Sequence, residues 1–409
     1  MTQGEYPLGG VKVLDLSRVL AGPVCCQVLA DLGTDVVKVE RPGTGDDTRQ
    51  WGPPFLDDRG RRDDAAPTSA YYLSANRGKR SLALDLSPPE GRRVLDDLIR
   101  GADVLVENFL PQSLERLGLA PERLRRLNGE LVSVSISGYG RTGPLAEVAG
   151  YDLVIQAMSG LMSITGEADG MPMKVGVAII DVISGLYAAI SVLAGLHRRG
   201  SGKGGTAFDL ALADCTLASL VNVAQGSLIT GEKPRRYGNA HPQIVPYEAF
   251  ATSDGHLVLA VGNDRQWLRF CQATGHDDWA QDPRFATNPS RVEHREQLVP
   301  LLEQLFSRRT SGQWQQILSE AEVPHSPVLA LDEVLASRQV AARRMVLDVE
   351  DSAARRYRLV GNPIHWRDAP SGRVKAPPAL GEHTDEILRV WLGYDEGKIA
   401  ELRRLGTVA

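Results

Sequence analysis

A chain of 409 residues is too long for one small hydrophobic core, so two domains are expected. Its 46 basic and 51 acidic residues leave a net charge of −5, which supplies neither the basic excess of a nucleic-acid binder nor that of a membrane-surface protein. Any anionic ligand must therefore be met by a local cluster of cations.

Strands and helices alternate from the start, the pattern of an α/β fold with a parallel sheet covered by helices. Residues 11–16 read as a strand, Gly22-Pro23 opens a helix to about Leu32, and residues 35–40 form the next strand. Residues 44–68 are polar and rich in Gly, Asp, Arg and Pro, which predicts a surface excursion. A strand over 82–86 follows, and Ser87-Pro88-Pro89-Glu90 reads as a capping box that starts a helix to about Arg100. Strands are expected over 103–107, 131–137 and 207–212, and helices over 151–159 and 179–197. The apolar run 177–196 is broken by Asp181, Ser184, Gly185, Tyr187 and Ser191, so it reads as a core helix and not a membrane span. After Gly231 the composition changes, and a strand over 256–261 with helices over 266–274 and 295–306 predicts a smaller domain. The expected division is 1–229, 230–325, and a return to the large domain over 326–409.

The four cysteines, Cys25, Cys26, Cys215 and Cys271, lack paired-ligand spacing, and the first residues lack the pattern of a signal peptide. Buried free thiols, no metal and a cytoplasmic location are expected. From Asp181 to Leu196 there is no second charge, and an acid in a helix's first turn lies where the helix dipole favours its ionised form. Such a carboxylate can cap the helix or serve as a nucleophile. Gly138-Tyr139-Gly140-Arg141-Thr142-Gly143 fits the dinucleotide fingerprint by spacing, but Pro144 follows and no clear helix continues it.

Ordered motifs extend over most of the chain. They are Pro7-Leu8-Gly9-Gly10-Val11-Lys12-Val13-Leu14-Asp15, Ala21-Gly22-Pro23, residues 35–43, Asn76-Arg77-Gly78-Lys79-Arg80-Ser81, residues 102–109, and Leu380-Gly381-Glu382-His383-Thr384. Together they resemble the class III CoA-transferases, the family of formyl-CoA:oxalate and carnitine CoA-transferases. The resemblance implies a large Rossmann-like domain built from both ends of the chain, a smaller α/β domain, and an interlocked homodimer. It places Asp181 at the catalytic aspartate, which carries an aspartyl-CoA thioester, and gives no catalytic role to Asp169. Coenzyme A is then a co-substrate, and no permanent cofactor is implied. Arg41 and Arg116 fall at phosphate-binding positions, and Leu20, Ala21, Leu84, Asn108, Phe109 and Tyr151 along the CoA groove. Arg77, Lys79 and Arg80 also lie near strand ends, where open α/β sheets bind ligands. Leu20 departs from the glutamine of the formyl-CoA enzyme.

Two further positions bear on specificity. Racemases of α-methylacyl-CoA share the fold and carry a histidine where Tyr151 stands, and a phenol with a pKa of about 10 is a poor base at neutral pH. The loop over 237–247 resembles that of succinyl-CoA:glutarate CoA-transferases and related enzymes, with His241 either binding a distal carboxylate or structuring the loop. Asp152, likewise, is either a helix cap or a site residue. The reading that this resemblance implies is transfer of CoA from an acyl-CoA, such as succinyl-CoA, to a dicarboxylate such as glutarate. The alternatives are an acyl-CoA racemase and, more remotely, a nicotinamide-dependent oxidoreductase resting on Gly138 to Gly143.

Overall fold

The computed structural model describes residues 6–56, 68–366 and 374–409. Short runs rich in valine and leucine form six parallel strands: β1 (Lys12–Asp15), β2 (Asp35–Glu40), β3 (Arg80–Ala83), β4 (Val104–Glu107), β5 (Val132–Ser137) and β6 (Thr206–Ala211). Their order is β3-β2-β1-β4-β5-β6, with Val13 beside Val36 on one flank and Val104 on the other. Every residue of β4 is buried, as a strand covered on both faces must be. The sheet is doubly wound, and its order reverses direction between β1 and β4.

Helices cover the sheet where their periodicity allows. Helix α1 (Ala21–Asp31) links β1 to β2, and α2 (Pro89–Gly101) links β3 to β4. In α2, Val94, Leu95, Leu98 and Ile99 are buried at helical spacing, and each such side chain contributes about 1.5–3 kcal/mol by leaving water. They pack with Leu14, Val37, Leu82 and Leu105 of the sheet and with Ile387, Leu388 and Ile399 from the end of the chain. The C-terminal segment is stitched to the sheet directly: Leu84 bridges Val408, and Asp85 N–H donates to the Thr407 carbonyl at 2.8 Å. Helix α3 (Asp152–Met158) precedes α4 (Ile179–Gly200), which lies on α1, β5 and β6, and α5 (Leu212–Ser219) follows β6. By length and apolarity α4 could cross a membrane; here it covers the parallel sheet. It approaches α1 closely, because a Cβ on Gly185 would lie 2.6 Å from the Ala21 carbonyl oxygen.

Two local expectations are corrected. The third strand is Arg80–Ala83 and not 82–86, because its pairing with β2 ends at Glu40 and the chain then turns toward Val408. Ser87 does not build a capping box: Pro88 is the N-cap of α2, and no side chain bonds the first turn. The four cysteines are free and buried.

The chain divides into two compact units. One comprises Met1–Gly160, Val175–Gln225 and Gln339–Ala409; the other comprises Leu161–Lys174 and Gly226–Arg338. The second unit thus takes in a segment ahead of α4 and extends beyond residues 230–325. It holds a three-stranded antiparallel sheet, β7 (Tyr247–Ala251), β8 (His256–Ala260) and β9 (His325–Pro327). Helices Asp264–Thr274 and Arg295–Phe306 pack on it around Trp267, Phe270, Phe306 and Trp314.

Candidate active site

The carboxyl ends of β1 and β4 meet at the reversal of the sheet. There Arg18 N–H donates to Asn108 Oδ1 at 2.9 Å, and Asn108 Nδ2 donates back to the Arg18 carbonyl at 2.8 Å. The next residue, Val19, has φ +70°, a left-handed conformation that is costly for a β-branched residue. Its N–H donates to Asp46 Oδ1 at 3.3 Å, so the strained turn is held from both sides. It leads into Leu20, the N-cap of α1, and Ala21, which is buried.

A cleft of about 260 Å³ opens beside this turn and brings together Arg41, Leu84, Phe109 and Arg116. Its floor is a set of matched charges. Lys38 pairs with Asp46 at 2.9 Å and Arg49 with Glu40 at 2.8 Å, all four buried, while Arg18 pairs with Asp47 at 3.2 Å on the rim. Burial alone would raise the Asp46 carboxyl, but Lys38 and the Thr48 hydrogen bonds outweigh it and bring the pKa to about 2. The cleft's other cations, Arg41, Arg92 and Arg116, have no ion-pair partner among the described residues. Three guanidinium groups without carboxylates are what a phosphorylated ligand requires.

The remaining basic residues near the strand ends serve the fold. Arg77 pairs with Asp31 and donates to the Val360 carbonyl; Arg80 pairs with Asp35 and Glu386. Lys79 is buried against Asp15 at 2.9 Å, with the Pro23 carbonyl and Asn76 as its other acceptors. Arg92 went unnoticed in the sequence, although a cation in the first turn of a helix runs against the dipole and is a signal of another task.

Asp181 is the third residue of α4 and is 9% exposed. The N-cap, Ala178, has no side-chain acceptor, and Asp152 of α3 supplies one across the chain. Its Oδ1 accepts from Ile180 N–H at 2.8 Å and Asp181 N–H at 3.4 Å. Its Oδ2 accepts from Gln156 Nε2 at 2.6 Å, and Gln156 Oε1 accepts from Val175 N–H at 2.9 Å. Asp152 is therefore a cap, but of α4 and not of its own helix. The expected preference of Asp181 for its ionised form is corrected as well. Burial first, and the Asp152 charge second, push its pKa up to about 7. Tyr71, which the sequence did not mark, faces the same region: burial raises its pKa, and so do the charges of Asp181, Asp152 and Asp46. Tyr151 is the N-cap of α3 and is 62% exposed.

The Gly138 to Gly143 stretch follows β5, but no helix follows it before α3. Arg141 within it turns back to Glu107 at 3.1 Å and Ser135 at 2.7 Å, which leaves no dinucleotide cradle. In the second unit, Asp169 lies in a turn, and His241 stacks edgewise on Tyr247 at 5.4 Å. The imidazole Nδ1 accepts from Gln243 N–H at 3.0 Å, while Arg295 donates to the His241 carbonyl at 2.8 Å. Burial and the Arg295 charge lower its pKa, so near neutral pH it presents a neutral Nε2–H.

A doubly wound sheet with a cleft of unpaired guanidinium groups and a buried carboxyl of raised pKa defines an α/β protein built to hold a phosphorylated ligand, with a candidate nucleophile. Residues 8–384 match the profile of CoA-transferase family III, and the chain belongs to that family. It is 45% identical to a succinate–glutarate CoA-transferase of Agrobacterium fabrum, over 95% of this chain and 96% of the relative. It is 39% identical to the Mus musculus succinyl-CoA:glutarate CoA-transferase, over 98% and 90%. Among solved structures, a CaiB/BaiF family protein from Brucella suis superposes with a TM-score of 0.81 at 40% identity, over 95% of this chain and all of that one.

Proposed function

We propose that this enzyme moves CoA from succinyl-CoA to glutarate, with Asp181 as the nucleophile. The observation that carries the reading is a buried carboxyl in the first turn of α4, in a chain whose relatives bear the names of that reaction. The Asp181 carboxylate attacks the thioester carbon, forming an aspartyl-succinyl anhydride and releasing the CoA thiolate. The thiolate attacks the aspartyl carbonyl, giving an enzyme-CoA thioester and free succinate. Glutarate then attacks that thioester and expels the thiolate, which takes the glutaryl group from the second anhydride and restores Asp181. Each step exchanges one acyl bond for another.

Arg41, Arg92 and Arg116 hold the phosphates, and Leu84 and Phe109 line the adjacent groove. Leu20, Ala21, Asn108 and Tyr151 are not among the residues lining that cleft, and their part in holding CoA rests on the family resemblance alone; His241 offers its Nε2–H to the distal carboxylate of glutarate. The enzyme is a homodimer, a reading supported by the exposed row Leu186, Ile190 and Leu193 on α4, and it acts in the cytoplasm. Trapping tests the reaction. Succinyl-CoA with hydroxylamine should convert Asp181 to its hydroxamate, read by peptide mass, and Asp181→Ala should show neither adduct nor glutaryl-CoA. Turnover by the alanine variant would refute the mechanism.

A further inference from the structure

Four hydrogen bonds link five residues at the head of α4. Val175 N–H donates to Gln156, Gln156 donates to Asp152, and Asp152 accepts the N–H groups of Ile180 and Asp181. We infer that Asp152 is a positioning residue for the nucleophile: its carboxylate fixes the first turn of α4 against α3 and presents a like charge beside Asp181. The inference rests on Asp181 being the nucleophile.

The polarity of these bonds explains why residue 152 must be a carboxylate. An amide has one accepting end and one donating end. With asparagine at 152, turning its oxygen to α4 sets its NH₂ against the NH₂ of Gln156. Flipping Gln156 only moves the donor–donor clash to Val175 N–H. The carboxylate accepts at both ends and removes the conflict. The cap it provides could have come from a Ser, Thr or Asn in place of Ala178, without a second negative charge in the pocket. The titratable groups that act on or feel Asp181 are Asp152 on α3 and Tyr71; no cation acts on it. Burial makes the Asp181 carboxylate basic and the like charge of Asp152 adds to it, and a more basic carboxylate is the stronger nucleophile toward a thioester.

The test is the pH profile of enzyme-CoA thioester formation from succinyl-CoA in a single turnover. The wild type should rise with a midpoint near pH 7. Asp152→Asn should slow the step by roughly tenfold or more, through the donor–donor clash. The double variant Asp152→Asn with Gln156→Glu restores every hydrogen-bond direction but moves the charge one residue further from Asp181. It should recover most of the rate above its midpoint, falling short of the wild type only by the few-fold that a less basic carboxylate loses as a nucleophile, and that midpoint should fall by about one pH unit. A wild-type rate and profile in Asp152→Asn would overturn the inference. So would a double variant that fails to recover the rate or to fold, by circular dichroism, or that keeps the wild-type midpoint. Peptide mapping separates the two readings: an adduct away from Asp181 refutes the nucleophile, whereas an adduct on Asp181 with an unmoved profile refutes only the role of Asp152.

Discussion

Replacing Asp181 by asparagine should abolish catalysis and, at alkaline pH, stabilise the protein. Unfolded, the carboxyl titrates near 3.8; folded, near 7. The native state therefore holds a proton that the unfolded chain releases, and stability falls as pH rises from about 4 to 7, then levels off. The neutral amide carries no such penalty. At about 1.36 kcal/mol per pKa unit, the raised pKa costs the fold about 4 kcal/mol at pH 8 and about 2 kcal/mol at pH 5.5, where the cost is that of keeping the proton. The advantage of Asp181→Asn over the wild type should thus grow by about 2 kcal/mol between those two values. Urea unfolding of both proteins at each pH measures it. A difference that is flat with pH, or that shrinks toward pH 8, would refute the claim that burial and Asp152 hold this carboxyl near neutrality.

Arg92→Ala should lower kcat/KM for succinyl-CoA by roughly ten- to a hundredfold, the worth of one charge-assisted phosphate contact, and should discriminate less against 3′-dephospho-CoA. Equal kinetics for both thioesters in variant and wild type would remove Arg92 from the phosphate site. His241→Ala should reduce the preference for glutarate over a monocarboxylate of equal length by up to about tenfold, since a neutral Nε2–H makes a weaker bond than a cation; unchanged selectivity would leave His241 a loop residue only. Gly185→Ala places a methyl 2.6 Å from the Ala21 carbonyl oxygen, so α4 must move off α1. A loss of about 1–3 kcal/mol in stability and a fall in turnover are expected, checked by thermal unfolding and assay.

The alternation of strand and helix, and the helices of the second unit, were legible because each depends on periodicity within a short window. What escaped depended on partners far along the chain. Arg77, Lys79 and Arg80 looked like ligand-binding cations; their acceptors Asp31, Asp15 and Asp35 lie at least 45 residues away. Ser87 looked like a cap, but two prolines shift the start of α2 past it. Asp181 was visible as a lone acid in an apolar helix, yet its acidity was misjudged in sign, because its depth of burial depends on the whole fold and the second acid beside it, Asp152, lies on α3, 29 residues earlier. Arg41, Leu84, Phe109 and Arg116 were placed by family resemblance, and the cleft gathers them.

The matched charges beneath the cleft and the unmatched ones at its rim respond to salt in opposite ways. Lys38 with Asp46 and Lys79 with Asp15 have no exposed side-chain surface, so mobile ions cannot come between them. Arg41 and Arg116 face solvent, where at about 0.15 M the screening length is about 8 Å and at 1 M about 3 Å. Ionic strength therefore acts as a selective lever on this protein: it weakens the long-range attraction that draws a polyanionic coenzyme toward the cleft, while the charges that shape the cleft stay locked together.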